Sequence, residues 1–342
     1  MKKIAIIFKN SYILWSIAIL SVFIPFILPN RYYQDIAVLT FLWAGMASAW
    51  NLYSGFCKRV CIGHAAFLGI GAYTSAILYS NFGVSPWMGM IVGAAISALA
   101  ALIIGIPTLR LKGTFFVLST IAFAKILEVI ATNARGLTGG SLGLFRPFEP
   151  GLANMIFVDK IPSAILTWAY MMCILIVCAF FERSKIGYSL VAVGENQEAA
   201  ENLGVDSTKT MLTAFVMSAV FTSFGGTIFA QYIGFMEPIP VMGLSNSVNF
   251  ILFAIAGGMG TVFGPMIGAF ILQPASLLLR GNLTISGLHG FVLGAVLILI
   301  LLFRPDGILP QIYIIRGYII KKLRSGKKGS GSGEVDNDAP GS

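Results

Sequence analysis

The chain has 342 residues, of which 57% are hydrophobic and only 11% charged, and its mean hydropathy is +0.85. Soluble domains usually carry about a quarter of charged residues, so this composition excludes a soluble globular domain. The net charge of +9 does not indicate nucleic acid as a partner, because the Lys and Arg residues lie at the ends of apolar segments and in the C-terminal tail rather than on one face.

The apolar residues form long blocks, several of which reach the roughly 20 residues that cross a hydrocarbon core as a helix. Backbone groups in lipid need internal hydrogen bonds, which leaves helices or a closed barrel, and the short alternating segments of a barrel are absent. We therefore predict an all-α polytopic integral membrane protein with about ten transmembrane helices. The predicted spans are residues 11–28, 36–56, 62–80, 87–109, 114–132, 161–181, 211–233, 246–256, 265–279 and 287–303.

Positive charge sets the predicted orientation, because the cytoplasmic segments of membrane proteins carry an excess of Lys and Arg. With the N-terminus inside, the outer connections hold only Arg31, Arg135, Arg146, Lys160 and Arg280. Both termini are then cytoplasmic. Residues 1–10 form the N-terminus, residues 11–310 one transmembrane domain, and residues 311–342 a tail that is basic and then too polar to fold.

The eighth and ninth predicted spans are short and flanked by glycine, so one of them could be broken or re-entrant. Gly260, Gly264 and Gly268 fall four residues apart, and on a continuous helix they would form one smooth face for close packing. A broken helix would instead direct its free amide groups at a substrate carboxylate. The spacing favours packing and leaves both interpretations open.

The inner connection over residues 182–210 is the most polar stretch before the tail. Within it, residues 195–204 predict one short helix, since Asn196 can cap its start, Glu198 suits the positive end of its dipole and Gly204 suits its end. The helix has an apolar side that consists of Ala199, Ala200 and Leu203. It is either an ordinary solvated loop helix or a docking helix that carries force from a cytosolic partner.

Two absences bear on energy supply and cofactors. Cys57, Cys61 and His64 have a spacing that would place them on one side of a helix, but no fourth metal ligand is evident, and we expect no metal and no other cofactor. The sequence contains no G-x-x-x-x-G-K-[ST] loop, so it lacks that means of holding ATP. Energy must come from a partner or from an ion gradient.

Lys125 and Glu128 lie three residues apart within the fifth predicted span, where ionisable groups are costly and often functional. A local structural ion pair is the simpler interpretation. The alternative is a self-contained, ion-coupled secondary transporter or channel with both residues in the ion path. The sequence shows no set of nucleophile, base and orienting residue that would indicate a membrane-embedded enzyme.

Several motifs follow one another along the chain. The stretch 63–73 contains Gly63, His64, Gly69 and Gly71, and the outer turn 137–141 contains Thr138, Gly139 and Gly140. A late stretch contains Gly257, Gly258, Gly260 and Gly264, and residues 303–307 close the series. Between them, the inner connection holds Gly187, Glu195, Asn196, Glu198, Ala199, Ala200, Leu203 and Gly204.

In this order the motifs resemble the branched-chain amino acid ABC transporter permeases, and most closely their M-type subunit, over roughly residues 36–310. The resemblance implies a permease subunit of an ABC importer in a bacterial cytoplasmic (inner) membrane, not an enzyme. It implies a second permease subunit, two cytosolic ATPase subunits and an external solute-binding protein as partners, with no nucleic acid. Branched-chain amino acids are then the leading substrates, with urea or short amides as the alternative.

The resemblance also implies roles for the motifs. The inner-connection residues would couple the permease to its ATPases, and the other glycine motifs, with His64 and Thr138, would line the translocation path or pack helices. Lys58, Arg59 and Cys61 depart from the family, which usually has Gly-Gln and then Ser before the Gly-His pair. The sequence does not predict what these departing residues contact.

Overall fold

The structure is a computed structural model, and it describes residues 11–282 together with residues 294, 295, 302 and 307–309. The predicted N-terminus 1–10, the tail 311–342 and most of the tenth predicted span therefore lie outside the described residues. Of the closing motif 303–307, only Gly307 is described.

The long helices follow the unbroken apolar runs of the sequence, and their ends lie within a few residues of those predicted. The helices are α1 Ser11–Leu20, α2 Ile24–Ile27, α3 Arg31–Ser54, α4 His64–Phe82, α5 Pro86–Thr108, α6 Thr114–Asn133, α7 Arg135–Thr138, α8 Lys160–Glu182, α9 Lys185–Glu195, α10 Gln197–Asn202, α11 Ser207–Ile233, α12 Pro238–Met242, α13 Leu244–Gly257 and α14 Gly264–Asn282. Short 3-10 turns occupy Ser21–Phe23, Gly140–Leu142 and Leu152–Asn154, and the two strands are β1 Leu144–Phe145 and β2 Phe235–Met236.

Six helical stretches of the described chain are long and apolar enough to cross a membrane. They are α3, α5, α6, α8, α11 and the stretch Pro238–Gly257, which contains α12 and α13. The predicted third span, α4, is not among them, because its sequence is rich in small and weakly polar residues that pack against protein. The chain is thus a mostly helical, multi-pass membrane protein.

The core of the molecule surrounds α3 and α4. Helix α3 is buried along nearly all of its length after Gln34 and packs against α8, α11, α13 and α14, while α4 packs against α5 and α11. Trp50 and Tyr53 of α3 are fully buried. By contrast, α5 and α6 leave side chains such as Ile103 and Phe115 exposed, as expected for helices that face lipid.

The predicted first span is helical but not one regular helix. Helix α1 ends at Leu20, a 3-10 turn follows, and α2 begins at Ile24. Pro25 explains the interruption, because proline lacks the amide hydrogen and its ring crowds the carbonyl four residues earlier.

The late glycine motif lies at a break between two helices and not within one continuous helix. Helix α13 ends at Gly257 and α14 begins at Gly264, so Gly260, Gly264 and Gly268 do not form one face of a continuous helix. Gly258 has φ +123°, a conformation that side-chain-bearing residues rarely adopt. The two helices therefore form a hairpin around residues 258–263, which we call the glycine turn.

A second break, not predicted from the sequence, lies at Gly243 between α12 and α13. Gly243 is extended, with φ −61° and ψ 148°. The side-chain amide of Asn246 donates hydrogen bonds to the carbonyl oxygens of Pro240 and Val241, both at 2.8 Å. These bonds satisfy carbonyl groups that the interrupted helix leaves without partners.

Candidate functional site

The inner connection folds into α9 and α10, here called the α9–α10 segment (residues 185–204). Helix α9, which the sequence did not predict, starts at Lys185, where the Ser184 hydroxyl accepts a hydrogen bond from the Gly187 amide at 3.1 Å. A Cβ at Gly187 would overlap the carbonyl of Phe181. Only glycine therefore allows α9 to turn so sharply from the end of α8.

The predicted short helix within residues 195–204 is confirmed with narrower bounds, because α10 spans Gln197–Asn202 while Glu195 ends α9. Asn196 between them is extended, with φ −155°, and its side-chain oxygen accepts a hydrogen bond from the Ala199 amide at 3.0 Å. The predicted cap is thus confirmed, but a capping residue is itself non-helical and so divides the segment. Gly204 follows the helix end with φ +86°, as predicted.

The apolar residues of α10 do not share one side. Ala200 is only 3% exposed and packs into the core, whereas Leu203 is 86% exposed and Ala199 is also exposed. No other described large apolar side chain is more exposed than Leu203. The segment therefore presents Leu203 and Glu198 outward and holds itself to the protein through Ala200.

The departing residues Lys58 and Arg59 contact this segment. Lys58 Nζ lies 2.6 Å from Glu195 Oε1, and Arg59 donates a hydrogen bond of 2.6 Å to Gln197 Oε1. A further ion pair joins Lys112, after α5, to Glu198 at 3.0 Å. All four side chains of the two ion pairs are more than half exposed, so water and salt weaken the attraction.

The start of α11 is tied to α10 by acidic side chains. Glu201 accepts hydrogen bonds from the Ser207 hydroxyl and from the Gln197 amide, and these bonds lower the pKa of Glu201. The Asp206 carboxylate caps α11 by accepting from the Lys209 amide at 3.0 Å, which lowers the pKa of Asp206. Motion of α10 would therefore reach α11 directly.

The glycines of the early motif allow close helix packing. A Cβ at Gly63 would lie 2.5 Å from the Thr120 carbonyl oxygen of α6. A Cβ at Gly69 would overlap Met242 of α12, and one at Gly71 would overlap the backbone of Ser223 in α11. These residues place α4 against three neighbouring helices, as small residues do in membrane proteins.

His64 links three helices. Its Nε2 lies 2.6 Å from the Ser218 hydroxyl of α11, which itself donates to the Ala49 carbonyl of α3 at 2.7 Å. Since that hydroxyl hydrogen is already used, Nε2 must carry the histidine proton. Cys57 and Cys61 lie in the connection between α3 and α4, so they do not share a helix face with His64.

The outer turn connects α6 to the short sheet. The Thr138 hydroxyl bonds to the Ala131 and Ala134 carbonyls at 2.5 and 2.9 Å and accepts from the Gly140 amide at 3.1 Å. Gly139 has φ +73°, which favours glycine. Strand β1 then pairs antiparallel with β2, so the turn is attached to the end of α11.

The glycine turn is held by Asn51, a residue that sequence reasoning missed. Its side-chain oxygen accepts from the Gly260 amide and its side-chain nitrogen donates to the Thr261 carbonyl, both at 2.9 Å. A Cβ at Gly257 would overlap the Gly264 carbonyl, and Gly307 of the closing motif lies against Gly258. An amide within an apolar run was the available signal, because buried amides need partners.

Lys125 and Glu128 form an ion pair, with 2.6 Å between Nζ and Oε1. The Glu128 side chain is 7% exposed, whereas that of Lys125 is 59% exposed. The geometry is that of a local pair in which the lysine extends to the surface of α6. This matches the simpler of the two interpretations.

A cavity of about 620 Å³ lies between α3, α11, α13 and α14. Aromatic side chains, among them Trp43 and Phe229, line it together with the amides of Asn249 and Gln273. A smaller cavity of about 380 Å³ adjoins it and contains the Asp35–Lys160 ion pair. Sequence reasoning missed both, since their lining residues are scattered along the chain.

Comparison with known proteins identifies the family. The family described as "Branched-chain amino acid transport system / permease component" matches residues 32–301. The chain is similar to the high-affinity branched-chain amino acid transport system permease protein LivM of Salmonella typhimurium, with 29% identity over 89% of this chain and 76% of that protein. It is 28% identical to the autoinducer 2 import system permease protein LsrC of Yersinia pestis over 62% of each. The solved structure of PsaBC from Streptococcus pneumoniae in complex with Fab has a TM-score of 0.45 and 12% identity, covering 84% of this chain and 96% of that chain.

The family match extends from the start of α3 beyond α14, so it includes the α9–α10 segment, His64 and every described glycine motif before the closing one. It also confirms the resemblance that these motifs indicated. The chain belongs to the permease-component family of branched-chain amino acid transport systems and is a permease subunit of an ABC importer.

Proposed function

We propose that the chain carries branched-chain amino acids inward across a bacterial inner membrane. The relative named for branched-chain amino acid transport aligns with 89% of the chain, whereas the relative named for autoinducer 2 import aligns with 62%. The longer alignment supports an amino acid as the solute. Urea or a short amide would be the nearest alternative, because a neutral polar solute can use the same amide-lined cavity.

About ten spans, with both termini in the cytoplasm, form the proposed topology. It makes residues 11–310 a single permease domain between a short N-terminus and a basic tail. Contacts among the connections support it, because predicted inner connections contact each other and so do predicted outer ones. The inner pairs are Lys58–Glu195 and Lys112–Glu198, and the outer pairs are Asp35–Lys160 and Arg31–Asp159.

The proposed partners are a second permease, two cytosolic ATPases and an external solute-binding protein, and the α9–α10 segment receives force from an ATPase. The observation that carries this proposal is the exposure of Leu203, which is 86%. The segment around it is attached to the rest of the permease by ion pairs. A large apolar side chain that projects from an anchored helix end is suited to a groove on a partner.

The proposed mechanism is alternating access. ATPase closure displaces α10, and the Glu201–Ser207 contact passes the displacement to α11. Helix α11 carries Ser218, which is bonded to His64 at the start of α4. Movement of α11 therefore moves the helices that form the walls of the path, while the binding protein delivers solute from outside.

Replacing Leu203 with Glu tests the docking. A Leu side chain buried in an interface contributes about 1.5–3 kcal/mol, so Leu203→Glu should weaken ATPase association by about tenfold or more. The measurement is the amount of ATPase that co-purifies, together with ATP hydrolysis stimulated by leucine-loaded binding protein.

Leu142→Glu provides a matched control, because Leu142 is also 86% exposed but lies in the predicted outer connection. It should leave ATPase co-purification at the wild-type level. Wild-type co-purification and hydrolysis in Leu203→Glu would remove the α9–α10 segment from the coupling path.

A further inference from the structure

We propose that the 620 Å³ cavity between α3, α11, α13 and α14 is a solute-binding site in the outer half of the transport path. It would take a small zwitterionic amino acid with an apolar side chain. This inference rests on the proposed function as an importer and adds the location of the site and the side chains that recognise the solute.

The cavity has the size and position of a solute site. Small-molecule pockets occupy roughly 300–1,000 Å³. Leu39 and Trp43 lie in the first half of α3, and Phe229 lies near the end of α11. In the proposed topology these positions are on the outer side, where a binding protein releases its solute.

A route from the outer surface leads through the adjoining cavity. The two cavities share Leu39, Leu277 and Arg280. The adjoining one is lined by Asp35 and Lys160, which are paired at 2.7 Å. Its charged lining suits a zwitterion, whose opposite charges can exchange contacts with both members of the pair.

Several polar side chains that line the deeper cavity have no hydrogen-bond partner within the described part of the chain. Gln273 is only 8% exposed, and its amide has no hydrogen-bond partner among the described residues. Asn249 and Ser276, which also line the cavity, make no side-chain hydrogen bond within the described chain either. Asn249 and Ser276 are partly exposed, so the buried Gln273 amide is the group that most needs a polar ligand.

The break at Gly243 brings further polar groups to the same cavity. Ser245 and Asn246, in the first turn of the 14-residue helix α13, line its wall. The first turn of a helix carries free amide hydrogens and a partial positive charge. This end of α13 can therefore stabilise a carboxylate, while the amide oxygens of Asn249 and Gln273 can accept from an ammonium group.

The remaining lining indicates the side chain of the solute. Trp43, Phe229 and Phe253 supply aromatic surface, and Leu252 and Leu272 supply aliphatic surface. Among the described lining residues of this cavity there is no Asp or Glu. A net cation would therefore lack a counter-charge, whereas a zwitterion with an aliphatic side chain matches both parts of the wall.

The first test removes the Gln273 amide in the complete complex, reconstituted with its ATPases and binding protein and supplied with L-leucine. Gln273→Leu should lower the leucine transported per ATP hydrolysed by about tenfold, as expected for losing one or two hydrogen bonds. ATPase assembly should be unchanged. Gln34→Leu is the matched control, because its amide bonds to the Pro25 and Leu28 carbonyls outside the cavity.

The second test does not depend on that variant folding. Ser276→Cys should react with a small thiol reagent, and leucine-loaded binding protein should slow the reaction. Ser119→Cys, at a partly exposed position of α6 away from the cavity, should show no such protection. The unsubstituted chain, with its exposed Cys173, gives the background.

The outcomes separate the site from the function. If the wild-type complex shows no ATP-dependent leucine uptake, the proposed substrate fails. If it transports leucine while Ser276→Cys reacts equally fast with and without loaded binding protein, the site is wrong, whatever Gln273→Leu does. The cavity would then belong to lipid or to the second permease.

Discussion

The α9–α10 segment and the glycine turn both connect long helices, yet their polar contacts lie in opposite environments. Leu190, Val193 and Ala200 pack the α9–α10 segment against the core, but its ion pairs are exposed, with Lys58 and Lys112 paired to Glu195 and Glu198. The glycine turn is held by Asn51, whose fully buried side chain bonds to the backbone of Gly260 and Thr261.

The two kinds of polar contact differ enough in energy to predict different responses to their loss. Exposed ion pairs contribute about 0.2–1 kcal/mol each and weaken in salt. Leaving a buried backbone donor or acceptor without its partner costs about 1–3 kcal/mol. Loss of the ion pairs should therefore loosen the α9–α10 segment at small cost, while loss of the Asn51 bonds should destabilise the glycine turn between α13 and α14.

Removing the Asn51 amide should cause the largest loss of stability among the variants proposed for these two regions. Asn51→Leu deletes both hydrogen bonds to the glycine turn. The Gly260 amide and the Thr261 carbonyl then lose their partners, which should lower the free energy of unfolding by about 2–4 kcal/mol. The measurement is the midpoint of thermal unfolding of the purified complex.

Asn133→Leu is the matched control, since the one hydrogen bond that its side chain makes within the described residues is to the Val129 carbonyl on an exposed part of α6. It should change stability by about 0.5 kcal/mol or less. Equal midpoints for the two variants would show that the Asn51 bonds do not stabilise the glycine turn.

Breaking the ion pairs of the α9–α10 segment should have a smaller and more local effect. The double variant Lys58→Ala, Lys112→Ala should unfold at nearly the wild-type temperature, because each pair contributes about 1 kcal/mol or less. Amide hydrogen exchange in residues 196–204 should nevertheless become a few-fold faster.

High salt should speed this exchange in the wild type and leave the double variant almost unchanged, because ions screen exposed charges. Lys185→Ala, which removes a positive charge from α9 without breaking an ion pair seen among the described residues, should exchange like the wild type. A large fall in the unfolding temperature of the double variant would contradict the contrast drawn between the two regions.

The two regions also differ in how far their contacts could be predicted from the sequence. The helices follow apolar runs, and the Asn196 cap is a local signal, so both are found without tertiary information. Asn51 and Gly260 are 209 residues apart, and nothing local pairs them. Helix α12, which precedes the break at Gly243, was also missed, because residues 234–245 were assigned to a connection.

The cavity illustrates the same limit. Asn249 and Gln273 each stand in an apolar run on different helices, and the chain fold alone brings them to one wall. A polar amide within a predicted span was the signal that could have been used, as it was for Asn51. Charge complementarity would have found one contact, since Lys58 and Glu195 carry opposite charges.

The pH response of the inner connection should be the smallest effect. The pKa values of Glu201 and Asp206 are lowered by hydrogen bonds that exist only when α10 and the start of α11 are folded. Their contribution is complete above the ordinary carboxyl values of about 4 and is lost as the pH falls through the lowered values, where the unfolded segment binds more protons. Exchange protection of the amides from 197 to 210 should therefore hold from neutral pH to about 4 and decline below it. Glu201→Gln should reduce protection at neutral pH and flatten the decline. Because both carboxylates are exposed to water, the global unfolding temperature should hardly change with this variant. A decline that begins near pH 6 would instead indicate that another group controls the attachment of α10 to α11.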